Sequence, residues 1–240
     1  MWLLVASCFL ITAPVSLSDD PRRYYLTLGV GFCEEDGVVH WWHYLVENFM
    51  HGAGCGFPPI WFHIGVNVTL FLFQGAIVER VLGSGRAALL TFGCLAVHVP
   101  IVYVLVGGRA HGASSMTWSY LIFAIDWLVW SFRRYGWKAC RDPLTDFEIL
   151  LALFGIVGLI KHWHLWNLLA SVPFYLAWRK TWRGNLEALE KGESINQGQP
   201  IWNRAGSAFA AAVFAFNAFF LVQAVTGKIT PIAVEKTAQE

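Results

Sequence analysis

The sequence predicts an all-α, polytopic membrane protein, and three observations predict it. Of the 240 residues, 56% are hydrophobic and only 14% charged, with a mean hydropathy of +0.50, a balance foreign to a water-soluble domain of this length. The apolar residues gather into seven stretches, near 2–18, 60–82, 87–107, 113–132, 147–161, 164–178 and 206–226, and a helix crosses a bilayer core with roughly 17 to 25 residues. Strand alternation of the outer-membrane barrel kind is absent, which leaves helices as the means of satisfying the backbone in lipid.

The first stretch, W-L-L-V-A-S-C-F-L-I-T-A-P-V-S-L, reads as a helix or as a cleaved signal peptide; without a basic leading region or a clear small-x-small site it is taken as a helix. The long loop at 19–58 follows, rich in tryptophan around V-H-W-W-H-Y-L-V-E-N-F-M-H, and its aromatics suit a membrane interface where a ring is half wet. Cys33 and Cys55 share this loop, as a disulfide in an oxidising compartment or as two free thiols. Pro100 and Pro173 fall inside apolar stretches, which membrane helices tolerate when neighbours satisfy the freed carbonyl. The fifth and sixth stretches are short and flank K-H-W-H at 161–164; together they exceed one span, so they read as a tight helical hairpin. Residues 1–179 thus form a six-helix core, 180–205 a polar cytoplasmic linker, and 206–226 an additional C-terminal transmembrane helix with a packing role.

Basic residues are retained on the cytoplasmic side of a membrane. With the N-terminus cytoplasmic, eleven of the seventeen lysines and arginines fall inside, among them Arg80, Arg86, Arg133, Arg134, Arg183 and Arg204, and six fall outside. The expectation is a multi-pass protein of the plasma (inner) membrane. A net charge of +1 argues against nucleic acid as a partner.

Intramembrane polar residues are costly, so each asks for an explanation. His63 and Asn67 lie four apart, one turn apart on one helical face near the outer start of the second helix. Ser114 opens the fourth helix and His164 the sixth, and by alternation both start outside as well. The three helix openings therefore sit at similar depth. An imidazole can activate a serine hydroxyl for acyl transfer, with His164 as base, and the Asn67 amide, His63 and the Ser114 backbone N–H can face an oxyanion. Asp126, twelve residues past Ser114, is about 18 Å down the helix and cannot orient His164, so a Ser–His dyad is the natural reading. His162 is the alternative base. A serine near a helix start is by itself commonly a cap; Ser115 reads as a small packing partner, His51, His98 and His111 as structural or interfacial, and Glu79 and Asp126 as locally bonded.

At these residues the chain resembles the rhomboid intramembrane serine proteases. H-I-G-V-N at 63–67 with Q-G-A-I-V-E-R-V-L-G-S-G-R after it is similar to the family's H-x-x-x-N and downstream G-x-x-x-E and L-G-S-G-R/K. G-A-S at 112–114 looks like its G-x-S motif, with Trp118 four positions on, and W-H-Y-L-V-E-N-F-M-H at 42–51 looks like its outer-loop motif. The resemblance covers about residues 41–178. It implies a serine endopeptidase that cuts membrane-anchored protein substrates in or next to their transmembrane segments within the lipid bilayer, with Ser114 as nucleophile, His164 as general base, His63 and Asn67 as oxyanion contributors, and no metal or cofactor. Departures from the family pattern are Ser115 after the nucleophile, Asn167 and Ser171 where small glycines are usual in the sixth helix, His43 in place of an arginine, and a short loop between the fifth and sixth helices. Two other readings stand beside it: a non-catalytic rhomboid-like protein that binds transmembrane helices, and a metal-dependent membrane enzyme or transporter using the eight histidines, against which H-E-x-x-H is absent.

Overall fold

The computed structural model describes residues 1–17, 43–49, 60–101, 114–141, 143–158 and 162–228. Among the described residues there is no strand, and nine α-helices follow in order: α1 (Trp2–Leu17), α2 (His43–Val46), α3 (Ile60–Leu82), α4 (Ser84–Ile101), α5 (Ser114–Thr117), α6 (Leu121–Tyr135), α7 (Pro143–Gly158), α8 (His162–Glu190) and α9 (Pro200–Val225). A 3₁₀ turn at Trp118–Tyr120 joins α5 to α6, so Ser114–Tyr135 is one interrupted helical course. Two helices, Trp61–Leu82 and Pro200–Val225, are by themselves long and apolar enough to cross a membrane. Most of the 19–58 loop, including Cys33 and Cys55, lies outside the described residues.

The apolar stretches locate the longer helices, and the ends differ where hydropathy is a poor guide. The helix expected at 164–178 runs on to Glu190. Beyond the apolar stretch Trp182, Asn185 and Leu186 are buried and Leu189 packs on the core, a helical 3–4 spacing that turns one face inward while Arg179 and Lys180 face out. Much of the expected linker is therefore helix. Its aromatic anchor is Trp182, which meets Phe123 edge-on at 5.1 Å. Likewise α7 begins at Pro143 instead of 147 and α9 at Pro200 instead of 206, because proline fixes the first helical φ and its missing N–H would be unpaired there anyway.

The additional C-terminal helix is no loose appendage: α9 packs between α1 and α4. The L-G-S-G corner makes this possible. Gly83 turns the chain at φ +89°, and a Cβ there would meet the Asn203 side chain and the Gln197 carbonyl at 2.5 Å. A Cβ on Gly85 would meet the Trp202 carbonyl oxygen at 2.6 Å, and one on Gly206 the Ser84 carbonyl oxygen at 2.6 Å. Small residues let membrane helix backbones approach this closely, and the Gly85 N–H donates to Asn203 Oδ1 at 3.1 Å.

Contacts fix the helix directions. The amino group of Met1 pairs with Glu79 at 3.0 Å, Asn185 Nδ2 donates to the Val81 carbonyl at 2.7 Å, Gln197 to the Arg80 carbonyl at 2.6 Å, and Arg134 Nε to Glu190 at 3.1 Å. The start of α1 and the ends of α3, α6 and α8 therefore share one end of the bundle, with Arg80, Arg86, Arg133, Arg134 and Arg183; we refer to it as the basic end. It follows that α3, α5–α6 and α8 all begin at the opposite end.

Candidate active site

The face of α3 that turns inward is set by spacing. Ile64, Asn67, Val68 and Phe71 recur at helical intervals and are buried, while Trp61 and Phe62 are exposed. Asn67 is 6% exposed on that face, and half-buried His63 stands one turn before it at the edge. The Asn67 amide nitrogen has no hydrogen-bond partner among the described residues.

Residues 116–120 are buried on every side, and α5 touches α3, α4 and α8. Two local bonds hold this wedge. The Ser119 hydroxyl donates back to the Met116 carbonyl, three residues earlier, which suits the tight 3₁₀ turn, and the Tyr120 and Thr91 hydroxyls hydrogen-bond to each other. Thr117 Oγ1 donates weakly to the Asn67 carbonyl at 3.5 Å, which sets the levels of α5 and α3 against each other. Since both helices run the same way, the backbone of Ser114, three residues before Thr117, lies about 4.5 Å nearer the helix openings, in the region of His63 and Ile64.

On α8, Asn167 and Ser171 are fully buried, and Leu165 and Leu169 are exposed. Position 164 precedes these buried residues by three and seven, which puts it on their face; position 162 lies roughly opposite. Neither amide atom of Asn167 has a hydrogen-bond partner among the described residues, whereas the Ser171 hydroxyl donates to the Leu168 carbonyl at 2.7 Å. The backbones of Ser114 and His164 thus belong to packed helices, while the side chains of Ser114, Ser115, His162 and His164 lie outside what the structure describes. So does the side chain of His43.

Asp126 is engaged elsewhere. Its carboxylate takes a two-pronged contact from Arg183, Nη2 to Oδ1 at 2.5 Å and Nε to Oδ2 at 3.2 Å, the fork geometry that arginine offers a carboxylate. Glu79 accepts from Ser84 Oγ at 2.7 Å within the L-G-S-G corner as well as from the amino group of Met1. Both carboxylates therefore serve the bundle at a distance from the helix openings. Among the described residues, no group of three or more histidines, cysteines and carboxylates is placed to hold a metal ion. Cys8 and Cys94 are buried free thiols in α1 and α4.

Two features escape a reading of the sequence. Thr117 ties α5 to α3, with nothing in a lone threonine to announce it. Glu148 is 1% exposed inside the fifth apolar stretch, and an acidic residue within such a stretch is itself a signal.

No family model matches the chain, and no solved structure does. Over 170 residues, 69% of its length, the chain is 24% identical to the rhomboid protease GlpG of Salmonella choleraesuis (strain SC-B67). The same identity and coverage hold for the rhomboid protease GlpG of Salmonella newport (strain SL254) and of Salmonella typhimurium. The chain spans about half the length of the curated relatives it matches, 53%. These relatives support an assignment to the rhomboid family at a distance.

Proposed function

We propose that the chain is an intramembrane serine endopeptidase in which Ser114 attacks the scissile carbonyl, His164 takes and returns the proton, and His63 and Asn67 face the oxyanion. The observation that carries this reading is the meeting of α3, α5 and α8 at one end of the bundle, with Thr117 bonded to the Asn67 backbone. A serine at the first position of α5 and a histidine three residues before the buried Asn167 in α8 are the parts a hydroxyl nucleophile needs. The Asn67 amide, buried and without a protein partner among the described residues, is a donor held in reserve for developing negative charge. The curated relatives carry the name rhomboid protease, which supports the same chemistry.

The substrates we infer are membrane-anchored proteins, cut in or next to their transmembrane segments near the end of the bundle away from Arg80 and Arg134. By the distribution of basic residues that end faces outward and the N-terminus is cytoplasmic, with the chain passing several times through the plasma (inner) membrane. No cofactor is required, because the dyad and its donors are side chains and backbone.

A second reading, a non-catalytic binder of transmembrane helices, draws on one observation: Asn167 and Ser171 are buried in α8 where the family has small residues. Cleavage of a membrane-anchored reporter in proteoliposomes separates the two. Ser114→Ala and His164→Ala should each lower cleavage by roughly 10³-fold or more with unchanged thermal unfolding; wild-type protein that is folded and inert would favour the binder.

A further inference from the structure

The reaction proposed for Ser114 and His164 leaves one need unmet. An imidazole that takes a proton through one ring nitrogen is held in the right tautomer and direction when its other nitrogen donates to an acceptor. A carboxylate is the common acceptor, and the described carboxylates of the bundle are placed elsewhere. Asp126 is bonded to Arg183, Glu79 to Met1 and Ser84, and Glu148 lies beside Gln74, which is seven residues past Asn67 on α3 and so about 10 Å further from the helix openings.

Asn167 is better placed. It is fully buried, and neither Oδ1 nor Nδ2 has a hydrogen-bond partner among the described residues. A buried amide with no bonds calls for a partner, and the position of this one in α8 says where the partner comes from. Position 164 is three residues earlier in the same helix, so the two Cβ atoms lie about 5–6 Å apart on one face. Cα–Cβ bonds tilt toward the start of a helix, and a helical side chain covers the turn before its own; the Asn167 amide therefore reaches back over the turn that carries His164. Ser171, the next residue along that face, differs in having its hydroxyl bonded to the Leu168 carbonyl of its own helix. Asn167 has kept its acceptor.

We propose that Asn167 is a positioning residue: its Oδ1 accepts the N–H of one His164 ring nitrogen and leaves the other nitrogen to take the Ser114 proton. The proposal rests on the protease reading and deepens it, extending the Ser–His pair to a Ser–His–Asn set. An asparagine behind a catalytic imidazole recurs on an unrelated fold. It also gives a role to one of the chain's departures from the family pattern, since an asparagine where a small residue is usual brings an acceptor to the base.

The test follows two reactions of the full chain: covalent labelling by a fluorophosphonate probe, which needs the activated hydroxyl and no water, and steady-state cleavage of the membrane-anchored reporter. Asn167→Leu removes the acceptor at similar size. It should lower the labelling rate and kcat together by roughly 10²-fold, the usual effect of a misplaced reacting group, with KM unchanged. Its unfolding midpoint should stay at or above that of the wild type, because an amide with unmade bonds has been replaced by an apolar group. Asn167→Asp keeps an acceptor oxygen and should label nearly as fast as the wild type. Asn167→Ala, which also lacks the acceptor and adds no bulk, supplies the same comparison if Asn167→Leu does not fold. Labelling at the wild-type rate without the acceptor overturns the proposal, whether turnover is unchanged, so that the amide is idle, or slowed, so that it serves the hydrolytic water instead. A loss in Asn167→Asp as large as in Asn167→Leu overturns it as well. A folded wild type that takes no label overturns the protease reading and this proposal with it, whereas a labelled wild type with an indifferent Asn167→Leu overturns this proposal alone.

Discussion

At the basic end Asn185, 4% exposed, makes three hydrogen bonds, donating to the Val81 and Asn196 carbonyls and accepting from the Asn196 N–H at 2.7 to 2.8 Å. At the opposite end Asn67 and Asn167 are as deeply buried, yet amide atoms of both have no partner among the described residues. The same residue type does opposite things in the two places. Asn185 ties α8 to α3 and to the segment before α9, and its polar atoms are consumed by the fold. The Asn67 amide is kept available, and a buried polar group left unpaired calls for a water, a ligand or a reaction to explain it. One end of the bundle spends its buried asparagine on cohesion, and the other leaves buried amide atoms unpartnered among the described residues, as the proposed protease site requires.

The sharpest way to break this comparison is to truncate the two asparagines in parallel. Asn67→Ala should lower reporter cleavage by about 10²- to 10³-fold, the usual cost of an oxyanion donor, and leave the unfolding temperature in detergent nearly unchanged. Asn185→Ala should do the reverse, costing about 2–3 kcal/mol of stability because partners in the backbone are left unsatisfied, with cleavage by the folded fraction preserved. If Asn67→Ala unfolds the protein and Asn185→Ala does not, the division between the two ends is wrong.

A smaller effect probes how the basic end is closed. Gly206→Leu places a side chain where even a Cβ would lie 2.6 Å from the Ser84 carbonyl oxygen, so α9 must move away from α4, at about 1–3 kcal/mol by the usual cost of overpacking. Thermal unfolding in detergent checks this, and an unchanged midpoint would show that the close approach carries no weight.

The smallest expected effect concerns Glu190. The Tyr135 hydroxyl, donating at 2.7 Å, and then Arg134 hold its carboxyl below the ordinary glutamate range. A carboxyl lowered in the folded state contributes stability above its ordinary value, about 4.3, and loses it as the pH falls through the folded value. Tyr135→Phe should move the Glu190 titration upward, seen in its side-chain carbon NMR shift; an unmoved titration would remove Tyr135 as the principal cause.

The sequence made one apolar helix legible to the residue: α3 spans 60–82 as its hydropathy predicts. It misplaced the end of α8, because Trp182 and Leu186 are separated by basic and polar residues that read as a linker when hydropathy is averaged. Only the helical spacing of the buried residues shows the difference. Of the candidate site, the pairing of His63 with Asn67 on one turn and the common starting end of α3, α5 and α8 were legible, since both follow from periodicity and alternation. The depth of Glu148 was not: a single acid near the edge of an apolar stretch gives no hint of whether it faces lipid, water or a cavity.

The central claim is that Ser114 is an activated nucleophile, and covalent labelling tests it most directly. A fluorophosphonate probe applied to the folded protein in detergent, followed by peptide mass spectrometry, should place the adduct on Ser114. The adduct should vanish in His164→Ala and persist in His162→Ala. A folded wild-type protein that takes no label at Ser114, or labelling that survives His164→Ala, would contradict the account.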